Sequence, residues 1–219
     1  MIVNDRITDY INSLAKELPP ELLYLEREAI ENHVPIIKKD TQGLLRFLLT
    51  LHQPKQILEV GTAIGFSALF MSEYTKGDCR ITTIEKVAMR LVEAVKNLAD
   101  PRFPQKDKIT LREGDALEVL KDLVQEKRSY DFIFLDAAKA QYMAFLPELM
   151  KLLSAGGMLV TDNVLQDGTV INSRYSITRR DRTIHTRMRE YLYTITHRED
   201  LETVILPVGD GVAVSKKLS

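Results

Sequence analysis

At 219 residues the chain has room for one sizeable α/β domain and not for two comfortable ones. A hydrophobic content of 45%, a charged content of 28% and a net charge of −1 are ordinary for a globular protein, and exclude an overall electrostatic pull toward nucleic acid or an anionic membrane. The single Cys79 excludes an intrachain disulfide and a cysteine metal motif; it fits a reducing cytosol and reads as a small buried hydrophobe near a strand start.

Met1-Ile-Val-Asn-Asp-Arg6 lacks a basic start followed by an apolar stretch, so no secretory signal is read there. No apolar run approaches the roughly twenty residues of a membrane helix, and a cytoplasmic protein without a membrane partner is expected. Residues 1–53 read as a helical extension. Asn4 to Lys16 carries Ile7, Tyr10, Ile11 and Leu14 at helical spacing, and Pro19-Pro20 stops it. A second helix runs from Glu21 to His33 and breaks near Pro35; Thr41 is placed to cap a third, which carries Leu44, Leu45, Leu48 and Leu49.

From residue 54 the pattern alternates. Strands are predicted at 56–60, 80–85, 108–112, 130–135 and 157–161, with helices at 65–75, 87–99, 116–126 and 139–153. Ala155-Gly156-Gly157 reads as the turn before the fifth strand. This alternation predicts a doubly wound, mostly parallel sheet within a single domain over 1–219. After Asn163 the rhythm breaks into a polar loop of about fifteen residues and a basic helix over 179–197. Two closing strands, 202–206 and 211–216, are joined by Pro207-Val-Gly-Asp-Gly211 at hairpin spacing, so the last should enter antiparallel.

Two acidic sites follow buried strands: Asp136-Ala-Ala-Lys139 and Thr161-Asp162-Asn163. Right-handed crossovers make those strands neighbours, so their carboxyl ends share one crevice. Asp136, Asp162 and Asn163 then offer three hard oxygen ligands, which suit Mg²⁺ or a similar divalent cation, and the Lys139 amine suits a proton acceptor.

Ile57-Leu-Glu59-Val-Gly61-Thr62-Ala-Ile-Gly65-Phe-Ser67 is a strand turning through glycines into a helix. The turn permits close backbone approach, and the new helix offers free N–H groups. The next strand ends in Glu85, placed to accept ribose hydroxyls, and the third is followed by Glu113-Gly-Asp115-Ala116, placed to hold an adenine. The dinucleotide fingerprint is missing, because Ala63 stands where its second glycine belongs.

Taken together, Glu-Val-Gly-Thr-Ala-Ile-Gly-Phe-Ser, Asp-Ala-Ala-Lys and Thr-Asp-Asn-Val resemble the metal-dependent O-methyltransferase family of the catechol and caffeoyl-CoA enzymes, over nearly the whole chain. The short length, the closing Pro-Val-Gly-Asp-Gly-Val-Ala-Val-Ser-Lys-Lys and the Arg-rich segment look most like the bacterial tRNA 5-hydroxyuridine subgroup. The resemblance implies a Rossmann-like class I methyltransferase fold with sheet order 3-2-1-4-5-7-6, S-adenosylmethionine as cofactor, Mg²⁺ and a homodimer. It further implies that Ile37, Glu59, Gly61, Thr62 and Ser67 hold the methionine end. Glu85 would take the ribose, Asp115 and Ala116 the adenine, and Asp136 would touch both cofactor and metal, with Lys139 as base. The chain has no Trp, so a closed tryptophan-lined slot for a free catechol is not expected.

The segment from Arg174 to Arg189 holds six arginines and one acid in an otherwise slightly acidic chain. Arginine forks suit phosphates and stack on bases, so Arg174, Arg179, Arg180 and Arg182 are expected to meet a tRNA anticodon stem-loop. A small-molecule O-methyltransferase acting on vicinal diols or CoA esters is the alternative. A non-catalytic RNA-binding protein would not need the intact Asp136, Lys139, Asp162 and Asn163 set.

Overall fold

The computed structural model describes residues 3–219; Met1 and Ile2 of the amino-terminal reading, and the side chain of Arg174, lie outside the described part. Three helices come first: α1 (Asp5–Ser13), α2 (Pro20–Glu31) and α3 (Lys39–His52). Strands and helices then alternate as β1 (Gln56–Val60), α4 (Phe66–Glu73), β2 (Arg80–Glu85), α5 (Ala88–Ala99), β3 (Ile109–Glu113), α6 (Ala116–Gln125), β4 (Tyr130–Leu135), α7 (Tyr142–Leu152) and β5 (Leu153–Thr161). The chain closes with α8 (Arg182–Thr196), β6 (Leu201–Leu206) and β7 (Val212–Lys217).

The seven strands form one sheet in the order β3-β2-β1-β4-β5-β7-β6. β7 runs antiparallel to both β5 and β6, as the hairpin spacing predicts, and the other pairs are parallel. Helices cover both faces, so β1 and β4 are buried nearly throughout. Alternation along β4 feeds two cores: Ile133 and Leu135 pack under α6, α7 and α8, while Phe132 and Phe134 pack under α2, α3 and α4. Cys79 is fully buried, as expected. No helix among the described residues is long and apolar enough to cross a membrane.

Three local readings need correction or completion. The third helix begins at Lys39, before Thr41; Thr41 lies buried in its first turn and does not cap it. The carboxylate of Asp40 instead ties this helix start to the last hairpin, accepting from Gly209 N at 2.7 Å. Gly156-Gly157 lies inside β5 and not before it. Register passes from Tyr130↔Leu153 to Phe132↔Met158, two residues on β4 against five on β5, so the glycines belong to a bulge of three extra residues. A Cβ at Gly157 would lie 2.7 Å from Leu153 Cδ1. The apolar face of α1 forms where predicted but is uncovered, with Ile7, Tyr10, Ile11 and Leu14 each more than half exposed, at 53, 66, 53 and 67%.

One contact joins the fold to the cleft described below. Gly61 adopts φ +108°, and a Cβ there would collide with the carbonyl oxygen of Asp136. The turn after β1 therefore lies directly on the end of β4. Gly61→Ala is expected to destabilise the protein by about 2 kcal/mol and lower Tm by roughly 5 °C. An unchanged Tm would show that the turn can move off β4.

Candidate active site

The sheet sets the two acids side by side. Leu135 pairs with Thr161 at the ends of β4 and β5, and the next residues on these parallel neighbours are Asp136 and Asp162. Asp162 N donates to Leu135 O and Asp136 N to Val60 O, each at 3.0 Å, so the backbone ladder extends one residue past the strands. Asn163 follows in the left-handed region at φ +60°. Lys139 lies on the 3₁₀ turn Lys139–Gln141 that leads into α7. All four line one cleft of about 690 Å³, within the range of small-molecule sites.

Of the nine residues expected to hold a cofactor, eight line this cleft: Ile37, Gly61, Thr62, Ser67, Glu85, Asp115, Ala116 and Asp136. The ninth, Glu59, is fully buried. Its Oε2 accepts from the Thr83 hydroxyl, which in turn lies 2.5 Å from the Thr62 hydroxyl. Its Oε1 has no hydrogen-bond partner among the described residues. Burial pushes the Glu59 pKa up to about 7, although the nearby Ser67 hydroxyl and the Thr83 hydroxyl bond favour its ionised form. A buried carboxylate oxygen without a donor is costly to ionise.

Glu85 is held more tightly than the sequence suggests. Its Oε2 accepts from Ala63 N, and its Oε1 from both Lys86 N and Val87 N, all at 2.9 Å. Three backbone donors on one carboxylate fix its orientation in the cleft. Asp115 caps α6 by accepting from Leu117 N at 3.0 Å and pairs with Lys86 at 3.1 Å. The Thr62 side chain belongs to the buried hydroxyl network, so its contribution to the cleft is chiefly backbone.

Charge in the cleft is unbalanced. Burial, followed by the neighbouring charge of Asp136, pushes Asp162 up to about 7. Burial also raises Asp136, although Lys139 and Arg90 favour its ionised form. Two shielded carboxylates that resist ionising together are relieved by a cation between them. Among the described residues no group of three or more His, Cys, Asp or Glu forms a metal cage. The donor set here is mixed, two carboxylates and one amide, all hard oxygen donors that fit a magnesium-like ion.

Several cleft residues escape the sequence reading. Asp210, in the turn before β7, accepts from Asn163 Nδ2 at 3.2 Å and pairs with Lys38. Arg90, in the first turn of α5, and Lys86 also line the cleft. Only Gly209-Asp210-Gly211 left a trace in the sequence, and it read simply as a turn. The arginines lie elsewhere. Arg179, Arg180 and Arg182 do not line the cleft, and Arg182 Nε donates to Ile177 O at 3.2 Å. Arg187, which carried no assigned role, donates to Ala140 O at 2.9 Å and so ties α8 to the Lys139 turn. His185 is buried with Nε2 3.1 Å from Asn172 O.

The raised Glu59 pKa has a defined sign. Folded protein without ligand binds more protons than unfolded chain between the usual glutamate value and about 7, so stability falls as pH rises through that window. Glu59→Gln removes this cost. Urea unfolding at pH 5 and pH 8 is expected to show the variant gaining roughly 2 kcal/mol on the parent across that interval. A difference independent of pH would contradict the burial of an ionisable Glu59.

Comparison with known proteins identifies the family. A family model described as O-methyltransferase matches residues 13–218. Catechol O-methyltransferase from Niastella koreensis is 31% identical over 171 residues, covering 77% of this chain and 76% of that protein. Caffeoyl-CoA O-methyltransferase 1 from Eucalyptus globulus is 29% identical over 209 residues, covering 91% of this chain and 83% of that protein. A solved structure from Staphylococcus aureus, provisionally assigned as a caffeoyl-CoA O-methyltransferase, superposes with a TM-score of 0.84 at 31% identity, covering 97% of this chain and 98% of that one. With the family match running almost from end to end, the chain belongs to the O-methyltransferase family.

Proposed function

We propose that the protein transfers a methyl group from S-adenosylmethionine to a hydroxyl whose neighbouring carbon bears a second oxygen, with a magnesium-like cation at the strand ends. The observation that carries this reading is the Asp136–Asp162 pair in a cleft whose Thr62 is joined through the Thr83 hydroxyl to the buried Glu59 carboxylate. Ile37, Glu59, Gly61, Thr62 and Ser67 would hold the methionine end, Glu85 the ribose, and Asp115 with Ala116 the adenine. Asp136, Asp162 and Asn163 would hold the cation, which when bound supplies Lewis-acid polarisation of the hydroxyl. Lys139, in its neutral amine form, would take the hydroxyl proton, and the glycine turn against the end of β4 would keep the methyl-donor and acceptor sites adjacent.

For the substrate we infer the 5-hydroxyl of 5-hydroxyuridine at the tRNA wobble position, giving 5-methoxyuridine. That hydroxyl and the 4-carbonyl lie on adjacent ring carbons, as the two oxygens of a catechol do. Exposed Arg179 and Arg180 precede α8, and Arg187 couples α8 to the Lys139 turn, which suits a polyanion carrying its base to this cleft. The absence of Trp speaks against a closed slot for a free flat ring. A small-molecule reading, on catechol-like diols or caffeoyl-CoA-type esters, is favoured by the names of the relatives. The uncovered face of α1 supports the expected homodimer.

Labelled S-adenosylmethionine, Mg²⁺ and either tRNA bearing 5-hydroxyuridine or a catechol panel separate the readings. Label is expected in the tRNA, and Arg179, Arg180 and Arg182 changed together to Ala should reduce it at least tenfold with cofactor affinity kept. Label entering catechols alone would overturn the tRNA assignment. Lys139→Ala is expected to cut kcat by about 10²–10⁴. Asp162→Ala should abolish turnover that depends on added cation, and full activity of the parent in chelator would refute the cation's role.

A further inference from the structure

Resting on the cation reading above, we infer that Asp210 is a positioning residue that turns the Asn163 amide so that its carbonyl oxygen faces the cation. An asparagine presents an oxygen on one branch and an NH₂ on the other, and either branch can face a cleft. Only the oxygen ligates a cation; the NH₂ would repel it. Asn163 Nδ2 donates to Asp210 Oδ2 at 3.2 Å. A carboxylate accepts and does not donate, so this bond holds the NH₂ branch on the Asp210 side and leaves Oδ1 for the cleft.

Asp210 is itself fixed at both ends. Its other oxygen, Oδ1, accepts from Lys38, so each oxygen already holds one donor and the carboxylate is fixed in orientation. Its side chain is only 15% exposed. The backbones are clamped as well: Leu165 N donates to Asp210 O at 3.0 Å, and Val164 N to Gly211 O at 2.9 Å. Asn163, at φ +60°, is thereby held between Asp162 and the last hairpin. The arrangement is an outer partner orienting a ligand, as metal sites commonly use.

Direct Mn²⁺ binding, followed by paramagnetic resonance on the full chain without substrate, tests this without reference to turnover. Asp210→Ala is expected to weaken Mn²⁺ at least tenfold. Asp210→Asn in a Lys38→Met background, where its one oxygen has only Asn163 to accept from, keeps the acceptor and the shape but loses the charge, and is expected to stay within about threefold of Lys38→Met alone. Equal weakening by both variants would mean that Asp210 acts by charge, and would overturn the positioning role; so would parent-like binding by Asp210→Ala. Should the alanine variant fail to fold, Asp210→Leu, matched in shape but without an acceptor, is expected to show the same tenfold loss, and parent-like binding by it also overturns the role. Asp162→Ala distinguishes the underlying reading. If it too binds Mn²⁺ like the parent, the cation site itself is misplaced; if it loses Mn²⁺ while Asp210→Ala does not, only the positioning role falls.

Discussion

Parallel pairing of β4 with β5 forces Asp136 and Asp162 onto adjacent strand ends, about 4.8 Å apart along the hydrogen-bonding direction, and the remaining geometry follows from that juxtaposition. Left alone, two shielded carboxylates at that spacing repel and hold protons that an exposed aspartate would release. The strands on either side contribute to keeping them there. β1 supplies Val60 O for the Asp136 amide, the Gly61 turn lies against Asp136, and β7 brings Asp210 to Asn163. A buried phenol adds a strut: Tyr142 donates to Asp162 O and accepts from Ala137 N, both at 3.3 Å. Strain and unpaired charge of this kind persist where a ligand relieves them.

Most of this framework was written in local pattern. Strands such as Tyr130–Leu135 are continuous apolar runs bounded by turn residues, and crossover handedness leaves few ways to order them, so convergence of Asp136 with Asp162 followed from sequence. The need for glycine at position 61 was legible too, though not its reason, since contact with the Asp136 carbonyl is a tertiary event. Asp210 was invisible for a different cause. A five-residue turn between two strands explains itself locally, and only the insertion of β7 between β5 and β6 carries it to Asn163.

Other misses mark the limits of periodicity. Spacing defined an apolar face on α1 but says nothing of what covers a face, and within one chain nothing among the described residues buries Ile7, Tyr10, Ile11 or Leu14. Thr41 looked like a cap because threonine favours that position; burial beneath the last hairpin decided otherwise. Glu85 was read only as a strand-end carboxylate placed to accept ribose hydroxyls; the three backbone N–H groups that hold it belong to the folded turn and left no sequence signal. The arginines were read from charge alone, and Arg187, not those named for RNA, proved to touch the turn that carries Lys139.

The cation between the fourth and fifth strand ends is the claim on which donor, base and acceptor geometry all depend. Anomalous diffraction at the manganese edge, from crystals grown with Mn²⁺ and S-adenosylhomocysteine, addresses it directly. A single strong peak is expected within about 2.5 Å of oxygens from Asp136, Asp162 and Asn163. A peak placed elsewhere, or none at saturating Mn²⁺, would contradict that claim.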